Sequence, residues 1–358
     1  MLALCAMTKA RQLNNISFDI ELPTNLKMRR LFINTNWAHY ISPHLHEYRN
    51  FEGYAQVPAT YFSNHQEQYA AVTKIVDVIL THIDGIQKSD FAAFEWAANE
   101  MTDNILNHSI TGSGFVQVSK LRKFHKKISM IICDIGIGIP DSLRSGLHTS
   151  MTDAVALSEA IKEGVTRDKS VGQGNGLYGS HKVCPNSGGM LKIRSGYAIL
   201  TAVGDKVETE TTSAPFKGTL IASEIDFSKK GLLENALKFD GKVHETLSRI
   251  EAIYEDEFND LLTIKIIDCT KSFGSRASGS LIQKKIYNLL EMHPEHKVNI
   301  DFSGAPLITS SFADEILGKL LIKIGKEAFF KKIKLSGMDE INKKIISRSL
   351  TQRERDMH

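Results

Sequence analysis

The chain has 358 residues, of which 42% are hydrophobic and 24% charged, and its formal net charge is +3. This composition is typical of globular domains, the length suits two or three of them, and the small charge gives no indication of a nucleic-acid or anionic membrane partner. The four cysteines are scattered without a CxxC pair, which argues against a zinc site and against a disulfide framework and fits a reducing cytosol. No run approaches the roughly 20 apolar residues of a membrane span. We therefore expect a cytoplasmic protein.

Residues 1–65 form an N-terminal segment whose role the pattern does not predict. Its apolar content indicates a strand over residues 16–22. His39, His44 and His46 lie in an aromatic stretch and could be considered as metal ligands. Because no cysteine or carboxylate stands at a matching spacing, surface or packing roles are favoured for these histidines.

Residues 66–228 are predicted to form one domain. Helical periodicity covers residues 66–82, and Ser89 is a suitable N-cap for a second helix to about His108. Strand patterns follow at residues 115–121, 128–134, 190–195, 197–203 and 219–225. A polar loop rich in Thr and Glu is predicted before the last strand.

The remaining chain changes character near residue 229. Residues 229–260 are predicted to form a charged helical connector, and residues 351–358 a charged tail that frays. Between them, over 261–350, strands and helices alternate strictly, which indicates a separate small α/β domain. The strands are predicted at 262–267, 298–302 and 333–335, and the helices at 278–292, 311–324 and 338–347.

Glu100 and Asn104 are four residues apart on a predicted helix and therefore share one face. A carboxylate can accept a proton from water, and an amide oxygen is a hard ligand suited to Mg²⁺. Taken alone, the pair is better explained as two polar residues on a solvated helix face.

Two glycine clusters lie in this domain, the first after a predicted strand and the second after a polar stretch with a helical middle at residues 153–163. In the first, a buried strand ends at Asp134 and is followed by Gly136 and Gly138, a pattern that indicates a tight turn or the close approach of a ligand. The second cluster is Gly172, Gly174 and Gly176, with Leu177 opening a helix. Backbone N–H groups at a helix start bind anions, and glycine lets phosphates approach closely.

In this order the motifs resemble those of the GHKL ATPase superfamily, which includes gyrase, ninety-kilodalton heat-shock chaperones, histidine kinases and mismatch-repair ATPases. The resemblance covers roughly residues 70–227 and implies an α+β two-layer sandwich of the Bergerat type, with a mixed sheet covered by helices on one face. The matching residues are Glu100 and Asn104 (N-box), Asp134, Gly136 and Gly138 (G1 box), Gly172, Gly174, Gly176 and Leu177 (G2 box), and Thr219 in the later Gly-Thr segment.

The resemblance implies a role for each of these residues with ATP and Mg²⁺ as cofactors. Asp134 would accept a hydrogen bond from the adenine amine, while Gly136 and Gly138 would leave room for the base. Asn104 would ligate Mg²⁺, and Glu100 would be the base that orients water or a hydroxyl nucleophile.

The G2 box, from Gly172 to Leu177, would hold the triphosphate. Residues 141–171 would form a mobile lid. Within it, Thr166, Arg167 and Lys169 could contact phosphates or equally well belong to a solvated loop.

Within the superfamily the N-box resembles that of the anti-sigma-factor serine kinases. No segment before Glu100 has the phosphoaccepting His pattern of histidine autokinases, and Asn107 stands where their N-box usually carries Lys or Arg. His108 occupies the position of a His in the serine-kinase N-box. Because related kinases pair through their ATPase domains, a homodimer is expected.

Residues 298–303 and 308–315 resemble a STAS-like domain covering about 262–350. STAS domains are the antagonist partners of those kinases and carry a phosphorylatable Ser in an Asp-Ser-Ser-Gly turn. Here the aligned residues are 309–312, which lack both the acid and the glycine, so Ser311 is a candidate phosphoacceptor but equally a candidate helix N-cap. Ser275 and Arg276 also recur in such domains.

Three functions remain open. The favoured one is a Mg-ATP-dependent regulatory switch in which lid closure is coupled to the STAS-like domain and its protein partner. The second is a serine/threonine kinase that phosphorylates a STAS domain in cis or in trans. The third is a nucleotide-binding interaction protein with little turnover, against which Glu100 argues, because a pure binder needs no base.

Overall fold

The computed structural model describes residues 1–50, 56–109, 112–119, 126–147, 150–166, 175–228, 231, 238–239, 242–243, 249–256 and 260–357. The chain divides into two compact units. The first comprises Met1–Val76 and Ser89–Glu245, and the second comprises Asp77–Lys88 and Thr246–His358. The limits of the units differ from the predicted boundaries at 65/66 and 228/229. A short internal segment, Asp77–Lys88, belongs to the unit that contains the C-terminal residues.

The first unit is built on a five-stranded sheet with the order β1-β2-β3-β5-β4, in which every neighbouring pair is antiparallel. Its strands are β1 Val57–Phe62, β2 Gly114–Ser119, β3 Lys127–Asp134, β4 Met190–Val203 and β5 Lys206–Asp226. Its helices are α1 Leu2–Gln12, α2 Leu26–Asn34, α3 Trp37–Ile41, α4 His65–His82, α5 Lys88–His108, α6 Gly138–Leu147, α7 Asp153–Ala160 and α8 Gly176–Asn186. The last residues of α4 and the first of α5 lie in the second unit.

Helix α5 forms because its apolar residues recur at helical spacing. Phe91, Phe94, Met101 and Ile105 are all at most 5% exposed and lie on its buried side. Glu100 and Asn104 are only half-buried. The helix therefore presents both polar side chains away from the core, as the sequence predicts.

The N-terminal segment belongs to the first unit. Strand β1 pairs with β2 at the edge of the sheet, and Leu2, Cys5 and Ile41 form a buried cluster with residues of the strands. The predicted strand at residues 16–22 is wrong, because these residues have no regular structure. Their apolar side chains, Phe18 and Ile20, pack instead against the same cluster.

Strands β4 and β5 form one long hairpin. Val203 pairs with Lys206, so the turn contains only Gly204 and Asp205, and Gly204 has a φ of +55° that glycine adopts readily. The prediction of a polar loop before residue 219 is wrong. The Thr- and Glu-rich residues 206–213 are strand, because β-branched Thr favours extended backbone and the long pairing supplies hydrogen bonds to an exposed ribbon.

The second unit contains a mixed four-stranded sheet with the order β11-β10-β9-β8, in which the first two pairs are parallel and the third is antiparallel. The strands are β8 Glu255–Asp256, β9 Leu261–Lys265, β10 Lys297–Asp301 and β11 Ile333–Ser336. The helices are α9 Arg249–Tyr254, α10 Ile266–Cys269, α11 Arg276–Met292, α12 Ser310–Ala313, α13 Lys319–Ile324, α14 Lys326–Lys332 and α15 Glu340–Asp356. A π-helical turn, Asp314–Gly318, joins α12 to α13. Before this unit, β6 Lys238–Phe239 pairs with β7 Lys242–Val243.

Helix α15 corrects the predicted tail. Asp339 caps it by accepting a hydrogen bond from Asn342 N at 2.6 Å, and the helix continues to Asp356 instead of fraying after residue 350. Arg353 on this helix donates to both carboxylate oxygens of Asp314, at 2.7 and 2.8 Å. The tertiary ion pair thus holds the charged end of the helix, a contact that local composition does not reveal.

Asn288 on α11 holds the end of α4. Its amide nitrogen donates to the carbonyl oxygens of Leu80 and Ile83, and its amide oxygen accepts from Gly85 N at 2.8 Å. Asn288 is fully buried, and these bonds satisfy backbone groups that the helix end would leave unpaired.

Among the helices that the structure describes, none has the length and apolar character needed to cross a membrane.

Candidate functional site

The candidate site begins at the end of β3, where Asp134 is only 4% exposed. Its Oδ1 accepts a hydrogen bond from Gly136 N at 2.6 Å, and the backbone and side chain of Thr219 on β5 also donate to the carboxylate. Thr219 is therefore placed directly beside Asp134. The sequence associated these two residues only through the resemblance.

Burial raises the pKa of Asp134 from 3.8 to about 6, although the hydrogen bonds from Gly136 and Thr219 lower it. The carboxylate is thus stabilised by neutral donors, which do not offset the desolvation of its charge. A carboxylate with incompletely compensated charge binds a hydrogen-bond donor more strongly than a solvated one does.

A close approach of two chain segments explains the glycine at 138. Gly138 has a φ of +79°, and a Cβ there would lie 2.5 Å from Ser195 Oγ. Ser195 is fully buried; its hydroxyl donates to Gly218 O at 2.6 Å and accepts from Ile139 N at 3.0 Å. Sequence reasoning missed Ser195 as the residue that ties the start of α6 to β5, and no local signal identifies it.

Gly136 approaches the end of α5. A Cβ built at Gly136 would overlap the backbone of Ser109, so only glycine fits without displacement. The resemblance implied that this glycine leaves room for a base. The structure shows a different local requirement, since the helix end occupies the space, and through this contact the loop after β3 lies against the helix that carries Glu100.

Gly176, Glu100 and Asn104 lie together. A Cβ at Gly176 would lie 2.6 Å from Glu100 Oε2 and 3.2 Å from Asn104 Nδ2. The first residue of α8 is therefore in direct proximity to both polar side chains of α5. The pair on α5 and the last glycine of the predicted G2 box, 72 to 76 positions apart in the chain, converge in space.

Burial raises the pKa of Glu100 above its usual value, and the negative charge of Asp103 raises it further. A raised pKa brings a carboxylate closer to the range in which it exchanges protons near neutral pH. Asp103 itself lies 3.3 Å from His65 Nδ1 at the start of α4.

Leu177 packs with α6 and α7 instead of projecting toward the polar cluster. It lies against buried Leu143, Ala156 and Ala160. The predicted G2 residues Gly172 and Gly174, together with Arg167 and Lys169, lie outside the described residues.

The described part of the predicted lid, up to Thr166, contains most of α6 and all of α7, whereas residues 150–152 and 161–166 are not helical. Arg144 on α6 donates to Asp153 Oδ1 at 2.7 Å, and Asp153 Oδ2 accepts from Tyr197 N on β4 at 2.6 Å. These bonds tie α6 and α7 to the sheet.

Ser311 lies in the first turn of α12, and the N-cap role proposed for it is wrong. The cap is Thr309, whose Oγ1 accepts from Phe312 N at 3.2 Å, because the helix begins one residue earlier than predicted. Ser275 does cap a helix, accepting from Ser278 N at the start of α11, and Arg276 contacts Glu315 at 3.5 Å.

The histidines of the N-terminal segment occupy packing and surface positions. His39 Nδ1 lies 2.8 Å from the carbonyl oxygen of His46, and its ring contacts Tyr40 and Tyr48. His44 Nε2 lies 2.7 Å from Asp19 Oδ1 on the surface. Within the described part of the chain, these histidines do not form a cluster of three or more metal-ligating groups.

Comparison with known proteins concerns the second unit. Residues 278–343 match the family model described as a STAS-like domain of unknown function (DUF4325). No curated protein matches the chain. The C-terminal STAS-like domain predicted from the sequence is thereby confirmed over these residues.

Proposed function

We propose that the first unit binds Mg-ATP and acts as a GHKL-type ATPase. In this proposal the nucleotide cycle closes a lid and regulates the interactions of the STAS-like domain with a protein partner. The observation that carries it is the convergence of Glu100, Asn104 and Gly176, three residues drawn from two motifs that are far apart in sequence. A solvated helix face would not require glycine to stand against these two side chains.

The environment of Asp134 supports the adenine end of the proposed site. A buried carboxylate with only neutral donors has remaining acceptor capacity, which suits the exocyclic amine of adenine. Thr219 would hold the carboxylate in orientation. In the bound state, ionised Asp134 would therefore select an amino-bearing base over a base that presents a carbonyl at that position.

The cluster on α5 and α8 supports the phosphate end. Asn104 offers an amide oxygen to Mg²⁺, and Gly176 N lies at the start of an 11-residue helix, where backbone N–H groups favour phosphate. Mg²⁺ would supply charge neutralisation of the phosphates. Glu100 would accept the proton of the attacking water, consistent with the direction of its pKa shift.

Nucleotide binding is tested by isothermal titration of the full chain with a non-hydrolysable ATP analogue and Mg²⁺. We expect saturable 1:1 binding, weakened at least tenfold by Asp134→Asn. Asp226→Asn is the matched control, because Asp226 also ends a strand of the sheet but pairs with Lys127 at 3.6 Å. Equal weakening by both variants, or no binding by the wild type, would refute the proposed site.

Turnover is tested with γ-labelled ATP. We expect release of free phosphate by the wild type and its loss in Glu100→Ala, whereas Asn107→Ala, an exposed change on the same helix, retains it. If Glu100→Ala leaves phosphate transfer intact, its assignment as the base is wrong. Binding without any release of phosphate would favour the nucleotide-binding interaction protein.

A serine/threonine kinase is the second candidate, favoured by the position of Ser311. Ser311 is half-buried in the first turn of α12, and its side chain does not cap the helix. In the same labelling experiment a kinase would transfer the label to protein. Labelling in cis at this site would disappear in Ser311→Ala and persist in Ser310→Ala; labelling of an added STAS domain would indicate transfer in trans.

Homodimerisation remains a prediction from the resemblance. Light scattering with and without the ATP analogue tests it. A monomer under both conditions would contradict it without affecting the proposed nucleotide site.

A further inference from the structure

A four-residue turn in the second unit brings together three metal-ligating side chains that the proposed function does not use. The turn is His293-Pro294-Glu295-His296, between α11 and β10. One ligand atom from each of His293, Glu295 and His296 lies within 4.8 Å of the others. Among the described residues, His293, Glu295 and His296 are the one group of three or more potential metal ligands whose ligand atoms lie this close together.

The local sequence explains the turn. His293 N donates to Leu289 O and closes α11, after which Pro294 cannot continue the helix. His296 N donates to His293 O at 3.1 Å, forming a β-turn with proline at its favoured second position. Lys332 Nζ, at the end of α14, contacts the carbonyl oxygens of Pro294 and His296. The two imidazoles are thus held at the two ends of a braced turn.

His293 provides the observation that points to a ligand. The residue is only 1% exposed, yet its Nδ1 has no hydrogen-bond partner. The closest carboxylate oxygen, Glu295 Oε1, is 3.8 Å away, beyond hydrogen-bond distance. A buried ring nitrogen without a partner carries a desolvation cost, and a cation placed between it and Glu295 would remove that cost.

The separations between the ligand atoms are compatible with a metal ion bound among them. Ligand bonds to zinc are about 2.0–2.2 Å, so two tetrahedral ligand atoms are about 3.3 Å apart. Glu295 Oε1 lies 3.8 Å from His293 Nδ1 and 3.1 Å from His296 Nδ1. Both separations would reach the tetrahedral value with shifts of about half an ångström or less.

Glu255 on β8 supplies an outer carboxylate. Its Oε1 lies 3.3 Å from His296 Nε2, the ring nitrogen opposite the one that faces Glu295. Histidine ligands characteristically donate their second N–H to a carboxylate, which fixes the tautomer with a free Nδ1. Nearby Lys88 is paired with Glu251 at 3.4 Å, which moderates its repulsion of a cation.

We propose that His293, Glu295 and His296 form a binding site for a divalent transition metal, with two imidazoles and one carboxylate as ligands. This donor set suits Zn²⁺, whose remaining coordination position would be open to water. The site lies wholly within the second unit and is independent of the proposed nucleotide site.

The test is a calorimetric titration of chelator-treated full-length protein with Zn²⁺. We expect 1:1 binding whose dissociation constant rises at least tenfold in His296→Ala and in Glu295→Gln. Glu255→Gln is expected to weaken binding about tenfold through the outer shell. His44→Ala is the matched control, since it removes a His–carboxylate pair that lacks a third ligand.

Thermal unfolding provides a second measurement that does not depend on the buried His293 being replaceable. Because only the folded turn assembles the ligands, Zn²⁺ should raise the Tm of the wild type and of His44→Ala but not that of His296→Ala. The proposal would be overturned if the wild type did not bind Zn²⁺, or if neither His296→Ala nor Glu295→Gln changed the affinity for Zn²⁺. The residues would then form only a histidine–carboxylate hydrogen-bond cluster.

Discussion

Asp314 in the second unit and Asp134 in the first unit are held in opposite ways. In the second unit, Asp314 receives two hydrogen bonds from Arg353, which lower its pKa, and Asp77 lies 2.6 Å from Lys285 Nζ. In the first unit, neutral groups bind Asp134, and its pKa is raised to about 6. A paired carboxylate contributes to stability, whereas a buried carboxylate held by neutral donors opposes it.

The comparison separates structural charges from candidate functional ones. Ion pairs in the second unit connect elements that are distant in sequence, such as α15 with the π-helical turn. The carboxylates whose pKa values burial raises, Asp134 and Glu100, lie in the first unit, and Glu100 stands against Gly176. Buried carboxylates with raised pKa values are candidates for functional sites, and they support the nucleotide proposal, which the convergence of Glu100, Asn104 and Gly176 carries.

The largest expected effect comes from breaking a pair. Asp77→Ala should lower the unfolding free energy by about 3 kcal/mol, because it leaves the ammonium of Lys285 buried without its partner. In the Asp77→Ala variant, a second substitution, Lys285→Met, should restore most of the lost unfolding free energy. Urea denaturation measures both, with Asp84→Ala as the control, since its exposed pair with Lys323 is worth less than about 1 kcal/mol. Equal losses from Asp77→Ala and Asp84→Ala would contradict the structural role of the Asp77–Lys285 pair.

Removing the charge of Asp134 should have the reverse effect. Asp134→Asn is expected to raise the unfolding free energy at pH 7 by about 2 kcal/mol, because an amide avoids the desolvation of a carboxylate in the same space. The same variant should bind the ATP analogue more weakly. Denaturation and calorimetry test both effects, and a destabilised variant would show that the carboxylate is better compensated than its surroundings indicate.

The pH dependence gives the sign of this effect independently. The pKa of Asp134 is about 6 when folded and 3.8 in the reference state, so between about pH 4 and 6 the folded protein binds more protons at this group. Its contribution to stability therefore falls as pH rises, by at most about 1.4 kcal/mol per pH unit. The stability difference between Asp134→Asn and wild type should grow over this range and level off above it. A constant difference from pH 4 to 7 would exclude a raised pKa.

The smallest effect distinguishes the two hydroxyls at the start of α12. Thr309→Ala should destabilise the second unit by about 1 kcal/mol, because it removes the acceptor for Phe312 N. Ser311→Ala should change stability by less than about 0.5 kcal/mol, since Ser311 is not the cap. The denaturant midpoints of the two variants test the assignment of Thr309 as the cap. A larger loss of stability in Ser311→Ala than in Thr309→Ala would contradict it.

Most regular elements around the candidate site could be predicted because their signals are local. The helical spacing of Phe91, Phe94 and Met101 predicts α5 and hence the shared face of Glu100 and Asn104. Strand β3 and its terminal acid were equally clear. The segment at residues 16–22 misled prediction because its apolar residues serve a tertiary cluster instead of a sheet.

Other features could not be predicted because they depend on contacts between distant residues. The Thr-rich arm of β5 becomes strand only because β4 pairs with it along its length. Ser195 fixes the turn at Gly138 from 57 positions away, and His293 loses its hydrogen-bonding partners only on burial. Spacing along the chain carries none of this information.

Local sequence patterns were sufficient for the residue types at the candidate site and for the periodicity that makes Glu100 and Asn104 neighbours, because 3.6 residues per turn is a local rule. They were also sufficient for the STAS-like pattern that the family match confirms. The position of Gly176 against that pair, and the burial of Asp134 without a neighbouring cation, depend on the tertiary fold. Proximity and desolvation arise when separate segments pack together, so they are properties of the fold.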